Sequence, residues 1–220
     1  MSLLRCIKLM VLGGLCIARV AAQDATVVTP AAYSSALQNY IRSWDAVKPD
    51  TDSTNFSINS PLSHSRITTV YYDGLGRPLQ TVVKRASLVT GGTGTDLVSP
   101  VVYDSLGRVS RSYLPFAANS TGGNSSISDG GFKLNPFQEQ NWFYSDANSA
   151  SPVLGQGETY YYGKTEYEPS FLNRWLRSYG AGDNWIHNDH GVHQQYEVNT
   201  TTDSVKIFSV RDTTLGLFGT

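Results

Sequence analysis

Three of the chain's four histidines fall in one stretch, His187-Asn188-Asp189-His190-Gly191-Val192-His193. Imidazole nitrogens beside a carboxylate make a good donor set for zinc or copper, and Asp183 and Asp189 supply the carboxylates. Such a centre, with His187, His190 and His193 as ligands, would serve a metal-dependent hydrolase. Ligands spaced by three residues share a face only on a helix, however. Gly180, Gly182 and Gly191 all interrupt this segment, and glycine disfavours a helix. The favoured reading is a polar, exposed loop with solvated histidines, and no metal or cofactor is assigned to it.

Paired carboxylates can perform acid/base chemistry on a glycan. Glu166 and Glu168 would share one strand face, with Glu158 nearby, but two like charges so placed read more simply as a wet face. Asp24, Asp50 and Asp52 read as solvated loop acids rather than calcium ligands. Gly91-Gly92-Thr93-Gly94-Thr95 lacks the Gly-Lys-Ser/Thr of a phosphate loop and reads as a turn. No Gly-x-Ser-x-Gly nucleophile elbow occurs. Trp142-Phe143-Tyr144 and Tyr160-Tyr161-Tyr162 fit either a sugar-stacking surface or core and cross-strand pairs. No catalytic residue is assigned, and the chain is expected not to be an enzyme.

The composition fits that reading. Charged residues are 16% of 220, against about 25% in typical domains. The formal net charge is −1, Ser and Thr together number 44, and Tyr numbers 13. This excludes a basic nucleic-acid binder, a coiled coil and a disordered acidic tail. It suits an extracellular, β-rich protein.

Residues 1–22 carry Arg5, Lys8 and Arg19, no acid, an apolar run over 9–17, and small residues Val20 and Ala22 ahead of Gln23. This is the layout of a secretory signal peptide, and its apolar run is far shorter than the ~20 residues of a membrane span. Leu15 before Cys16 is too bulky for lipoprotein cleavage. A cut after Ala22 would leave 198 residues of net charge −4 and remove both cysteines, Cys6 and Cys16. The mature chain would then have no disulfide, thiolate-bound metal or cysteine nucleophile. It is expected to be secreted or held at the outer cell surface, with no membrane span.

The elements that would position these residues follow from periodicity. Residues 23–38 read as a linker or short helix. Apolar positions from Tyr33 to Leu37 favour a helix over 31–37, against a competing strand through Tyr40, Arg42 and Trp44. Residues 48–65 read as loop. From Arg66 the period becomes two, with Ile67, Thr69 and Tyr71 opposing Thr68, Val70 and Tyr72. Strands are expected over 78–85, 97–103, 109–114 and 159–167, with 172–179 ambiguous. Residues 119–131 and 147–157 read as loops, the former solvated, and 132–146 as an aromatic stretch. A polar loop is expected over 180–193, and a last hairpin of 195–199 with 204–210 around a turn at 200–203. The fold class is mainly β, built from antiparallel hairpins.

Two segments match each other. Tyr72-Asp73-Gly74-Leu75-Gly76-Arg77 aligns with Tyr103-Asp104-Ser105-Leu106-Gly107-Arg108. Asp starts a turn by bonding the backbone two residues on, and Gly closes it at positive φ. Tyr and Leu are expected to supply apolar bodies to the inward face. Arg is expected to pair with Asp or to lie over the ring.

The unit resembles the YD repeat of Rhs-type proteins. The wider likeness, from Asn39-Tyr40-Ile41-Arg42-Ser43-Trp44 through Asp96-Leu97-Val98-Ser99-Pro100 and Gly182-Asp183-Asn184-Trp185 to Val210, is to a domain of unknown function. That domain precedes the repeat array of secreted Rhs-type proteins. The resemblance implies hairpins of YD-repeat type over 39–220, truncated at the C-terminal end. It implies a non-enzymatic structural part of a cell-surface or toxin-carrier protein, partnered by the rest of an Rhs-like shell. In relatives a toxin is freed by self-cleavage near an Asp-Pro motif, and this chain has no Asp-Pro pair. The alternatives are a stand-alone module binding carbohydrates or surface glycans and, second, the metal-dependent hydrolase of the histidine loop.

Overall fold

The computed structural model describes residues 29–87, 94–145, 153, 158–204 and 206. The signal segment, Asp24, most of the 91–95 turn and of the 147–157 loop, and the expected strand over 204–210 lie largely or wholly outside the described residues.

The chain forms two compact units, one of residues up to Val98 with Phe116–Thr159, the other of Ser99–Pro115 with residues from Tyr160 on. The first unit holds β1 (Asn39–Ala46), β2 (Ser65–Tyr72), β3 (Pro78–Val83), the start of β4 (Leu97–Tyr103), β6 (Phe116–Ala117) and α1 (Pro136–Tyr144). The second holds the rest of β4, then β5 (Val109–Tyr113), β7 (Tyr162–Tyr167), β8 (Trp175–Tyr179), α2 (Asp183–Ile186) and β9 (Val192–His193). The protein is mainly antiparallel β-sheet.

In the first unit, β1 pairs with β2 from Asn39 opposite Tyr72 to Ala46 opposite Ser65, and β2 pairs with β3. The period-two reading of β2 holds: Ile67, Thr69 and Tyr71 are buried while their alternates are not. Tyr71, Val82, Val98, Phe116 and Ala118 form the core, against which Ile127, Phe132, Phe143 and Tyr144 pack.

Two sequence expectations are corrected, and the aromatic stretch gains an element. Residues 31–37 are not helical. Ser35 Oγ accepts the Leu37 N–H at 3.0 Å, a local bond that competes with helix. Tyr33 donates its N–H to Leu134 O at 2.8 Å and stacks on Phe132 and Phe137. The strand through Tyr40, Arg42 and Trp44 forms instead. The aromatic stretch contains a helix, α1, started by Asn135 accepting from Gln138 N, with Pro136 in its first turn. Residues 119–131 are a loop but not a solvated one, since Ile127 packs on the core and Gly130 is buried.

In the second unit, β4 pairs with β5, β5 with β7, β7 with β8, and β8 with β9. The ambiguous 172–179 segment is therefore a strand from Trp175. The polar loop over 180–193 contains α2 and β9. Residues 195–199 form no strand, but Thr200 does cap a turn at Thr201–Asp203. Tyr113, Tyr161, Tyr162 and Tyr179 are the buried rings of this unit.

Candidate functional site: two stapled hairpin turns and a buried polar cluster

The two matching segments form the same object, once in each unit. In the β2–β3 turn, Asp73 Oδ1 accepts the N–H groups of Leu75 at 2.8 Å and Arg77 at 2.9 Å, and Oδ2 accepts Arg77 Nε at 2.7 Å. In the β4–β5 turn, Asp104 Oδ1 accepts from Leu106 and Arg108 at 2.9 Å each, and Oδ2 from Arg108 Nε at 2.7 Å. Gly76 at φ 75° and Gly107 at φ 78° take the left-handed position. Their N–H groups donate to Asp73 O and Asp104 O at 3.0 Å. This is a turn closed by a glycine bulge, and the pairing register slips beside Tyr72 and Tyr103 in both hairpins.

Each carboxylate thus staples the turn to the arginine that leaves it. The Arg77 N–H leads in holding Asp73 below the ordinary aspartate range, against some burial. Burial pushes Asp104 up, but the Arg108 N–H and guanidinium and the Leu106 N–H outweigh it and hold its carboxyl low. Arg108 also lies over the Tyr167 ring at 4.5 Å and donates from Nη1 to Glu168 O and Ser170 O. The expected pairing of Arg with Asp is present. The expected inward leucines are not: Leu75 is 78% exposed and Leu106 38%, because they sit at the turn tip, beyond the sheet. Tyr72 and Tyr103 are half-buried.

The histidines are exposed and dispersed. His187 follows α2 and His193 lies on β9, and among the described residues only His193 meets an acid, with Nε2 3.4 Å from Asp189 Oδ1. Asp189 is itself engaged by the Tyr179 hydroxyl at 2.6 Å. Among the described residues no group of three or more His, Cys, Asp or Glu comes together to hold a metal. Glu166 pairs with Lys164, while Glu168 lies beyond β7 and pairs with Arg174, so they do not form a catalytic pair on one strand. Asp52 caps the short turn Ser53–Asn55, and Asp50 accepts from Asn55.

The aromatic clusters are largely interior. Phe143 and Tyr144 pack on the first core, and Tyr161 and Tyr162 are buried against Tyr113. A different aromatic surface opens on the second unit: a cleft of about 500 Å³ lined by Thr165, Tyr167, Trp175, Ser178 and Val192.

A buried polar cluster in the first unit was not foreseen from the sequence. Lys133, Asp96, Gln80 and Glu139 all have no exposed surface. Lys133 Nζ donates to Asp96 Oδ2 at 2.8 Å, Ser126 O at 3.0 Å and Asp129 Oδ1 at 3.3 Å. Gln80 clasps the Lys133 backbone, donating to its carbonyl and accepting from its N–H. Glu139 Oε2 accepts Asn119 N at 3.1 Å, and Oε1 accepts from Asn124. Burial dominates there and pushes the Glu139 carboxyl up to about 7, although Asn119, Lys133 and Asn124 favour its charge. The one sequence signal was a lysine set between Phe132 and Leu134 in an apolar stretch.

Fold and site together define an antiparallel β protein in which two hairpins are closed by Asp–Arg staples and the first core carries a buried ion pair. The chain belongs to a family described as a domain of unknown function, DUF6443, whose profile matches residues 42–198. Neither a search of curated proteins nor a search of solved structures found a match. No helix among the described residues is long and apolar enough to cross a membrane.

Proposed function

We propose that the chain is an exported, non-enzymatic structural module, the N-terminal part of an Rhs-like YD-repeat protein of the cell surface. The observation that carries this reading is the twin staple. One hairpin device recurs with the same four hydrogen bonds in both units, which is how a strand array is built from a repeated part. Its polar groups are spent on closing turns and present no free nucleophile or base. The edge of β1, which pairs only with β2 among the described residues, and the layout of residues 1–22 support an exported array that continues by strand addition.

The test is fractionation of the tagged full chain in a Gram-negative host, with mass analysis of its N-terminus. The reading predicts protein outside the cytoplasm beginning at Gln23. Protein retained in the cytoplasm with residues 1–22 intact would overturn it. So would a hydrolase activity lost on His190→Ala without loss of fold.

The Thr165–Trp175 cleft favours one second reading, a carbohydrate-binding module. Its aromatic and hydroxyl lining suits the apolar face of a neutral sugar. A glycan-array signal abolished by Trp175→Ala would support it, and a blank array would remove it.

A further inference from the structure

We propose that Lys133 and Asp96 are the two ends of an intramolecular amide crosslink that the chain forms by itself. Lys133 Nζ and Asp96 Oδ2 stand 2.8 Å apart with side chains 1% and 0% exposed, which holds the amine against the carboxyl group in a water-excluded site. Both partners are held in place. Gln80 pins the Lys133 backbone on both sides. Asp96 donates its N–H to Ile127 O, and its carbonyl accepts from Ala118 N.

The carboxyl group is faced by N–H donors that stabilise negative charge on its oxygens as the amine attacks. Arg85 N–H donates to Oδ1 at 3.0 Å and Gly130 N–H to Oδ2 at 2.8 Å. Arg85 adopts φ 50°, a strained position for a residue with a side chain, of the kind found at functional sites. Asp129 Oδ1, half-exposed and 3.3 Å from Nζ, is a second acceptor for its protons.

The step balances without a co-reactant. One Nζ proton passes to Asp96 Oδ2, and the freed lone pair attacks Cγ. Negative charge gathers on Oδ1, facing the Arg85 N–H. The Cγ–Oδ2 bond then breaks. A second Nζ proton, relayed by Asp129, joins the leaving oxygen, which departs as water. Oδ1 becomes the amide carbonyl, and the remaining N–H faces Ser126 O. The reaction removes two buried charges whose desolvation opposes folding. It also closes a loop between sequence-distant residues, in a mature chain expected to have no cysteine.

The test is mass spectrometry of the folded, full chain under denaturing conditions, followed by protease digestion. The proposal predicts an intact mass lighter by one water than the sequence requires and a branched peptide joining the segments that contain Asp96 and Lys133. Lys133→Arg keeps the charge but cannot form this amide, and it should restore the full mass and linear peptides. Should that variant fail to fold, the wild-type digest still decides. A full sequence mass with linear peptides would overturn the proposal. A water loss carried by a linear peptide, the signature of an aspartyl succinimide, would overturn it equally.

Discussion

The carboxylate of Asp104 holds Arg108 twice, accepting its backbone N–H at 2.9 Å and its Nε at 2.7 Å. That double grip fixes the chain where it leaves the turn, and Asp73 repeats it on Arg77. A turn residue thereby becomes the anchor of the strand that follows. The same guanidinium then reaches Glu168 O and Ser170 O, tying the β4–β5 turn to the segment between β7 and β8.

Gly107 is required by conformation rather than by space. Its φ is 78°, so Gly107→Ala should destabilise the protein by about 1 kcal/mol. Gly74→Ala in the sister turn meets nothing within 4 Å and has no positive φ, and should be nearly neutral. Urea unfolding midpoints of the two variants check this. Equal effects would contradict it.

Glu139 makes stability fall with rising pH. Its carboxyl titrates at about 7 in the fold against 4.5 ordinarily, so the folded state binds the proton more tightly. The stabilisation is fully present below pH 4.5 and is lost as pH rises through 7. By linkage the change is on the order of 2–3 kcal/mol. Glu139→Gln should flatten the stability profile between pH 5 and 8. A wild-type profile that is already flat would contradict this. Asp73 and Asp104 act oppositely: held low, they stabilise above the ordinary aspartate range and lose that contribution as pH falls through their depressed values.

The strand pattern was legible where one face is buried. β2 alternates Ile67, Thr69 and Tyr71 inward because only one register hides them, and an Asp followed three residues later by Gly located both turns. The short helix α1 was hidden because Trp142, Phe143 and Tyr144 also suit a strand, leaving Asn135-Pro136 as its main sign. The Lys133–Asp96 pair was illegible for a different reason. Its partners lie far apart in sequence, and no local spacing announces a buried charge pair.

Edge strand β1 is exposed on both faces, with Tyr40 at 55% and Ile41 at 60%. Ile41→Lys should therefore leave thermal stability almost unchanged and reduce concentration-dependent association, since a charge on an edge blocks strand addition. Light scattering across a concentration series reads the outcome. Unchanged association would show that β1 is not the adhesive edge.

An Asp–Arg staple, rather than turn propensity alone, holds the β2–β3 and β4–β5 hairpins. The most direct measurement is a double-mutant cycle on Asp104 and Arg108 by chemical unfolding, using Asp104→Ala, Arg108→Ala and the double variant. The account predicts that the two losses are strongly non-additive, with a coupling of about 1 kcal/mol, as for partly buried, hydrogen-bonded pairs. Additive losses would contradict it and leave the repeated motif as a turn signal without a staple.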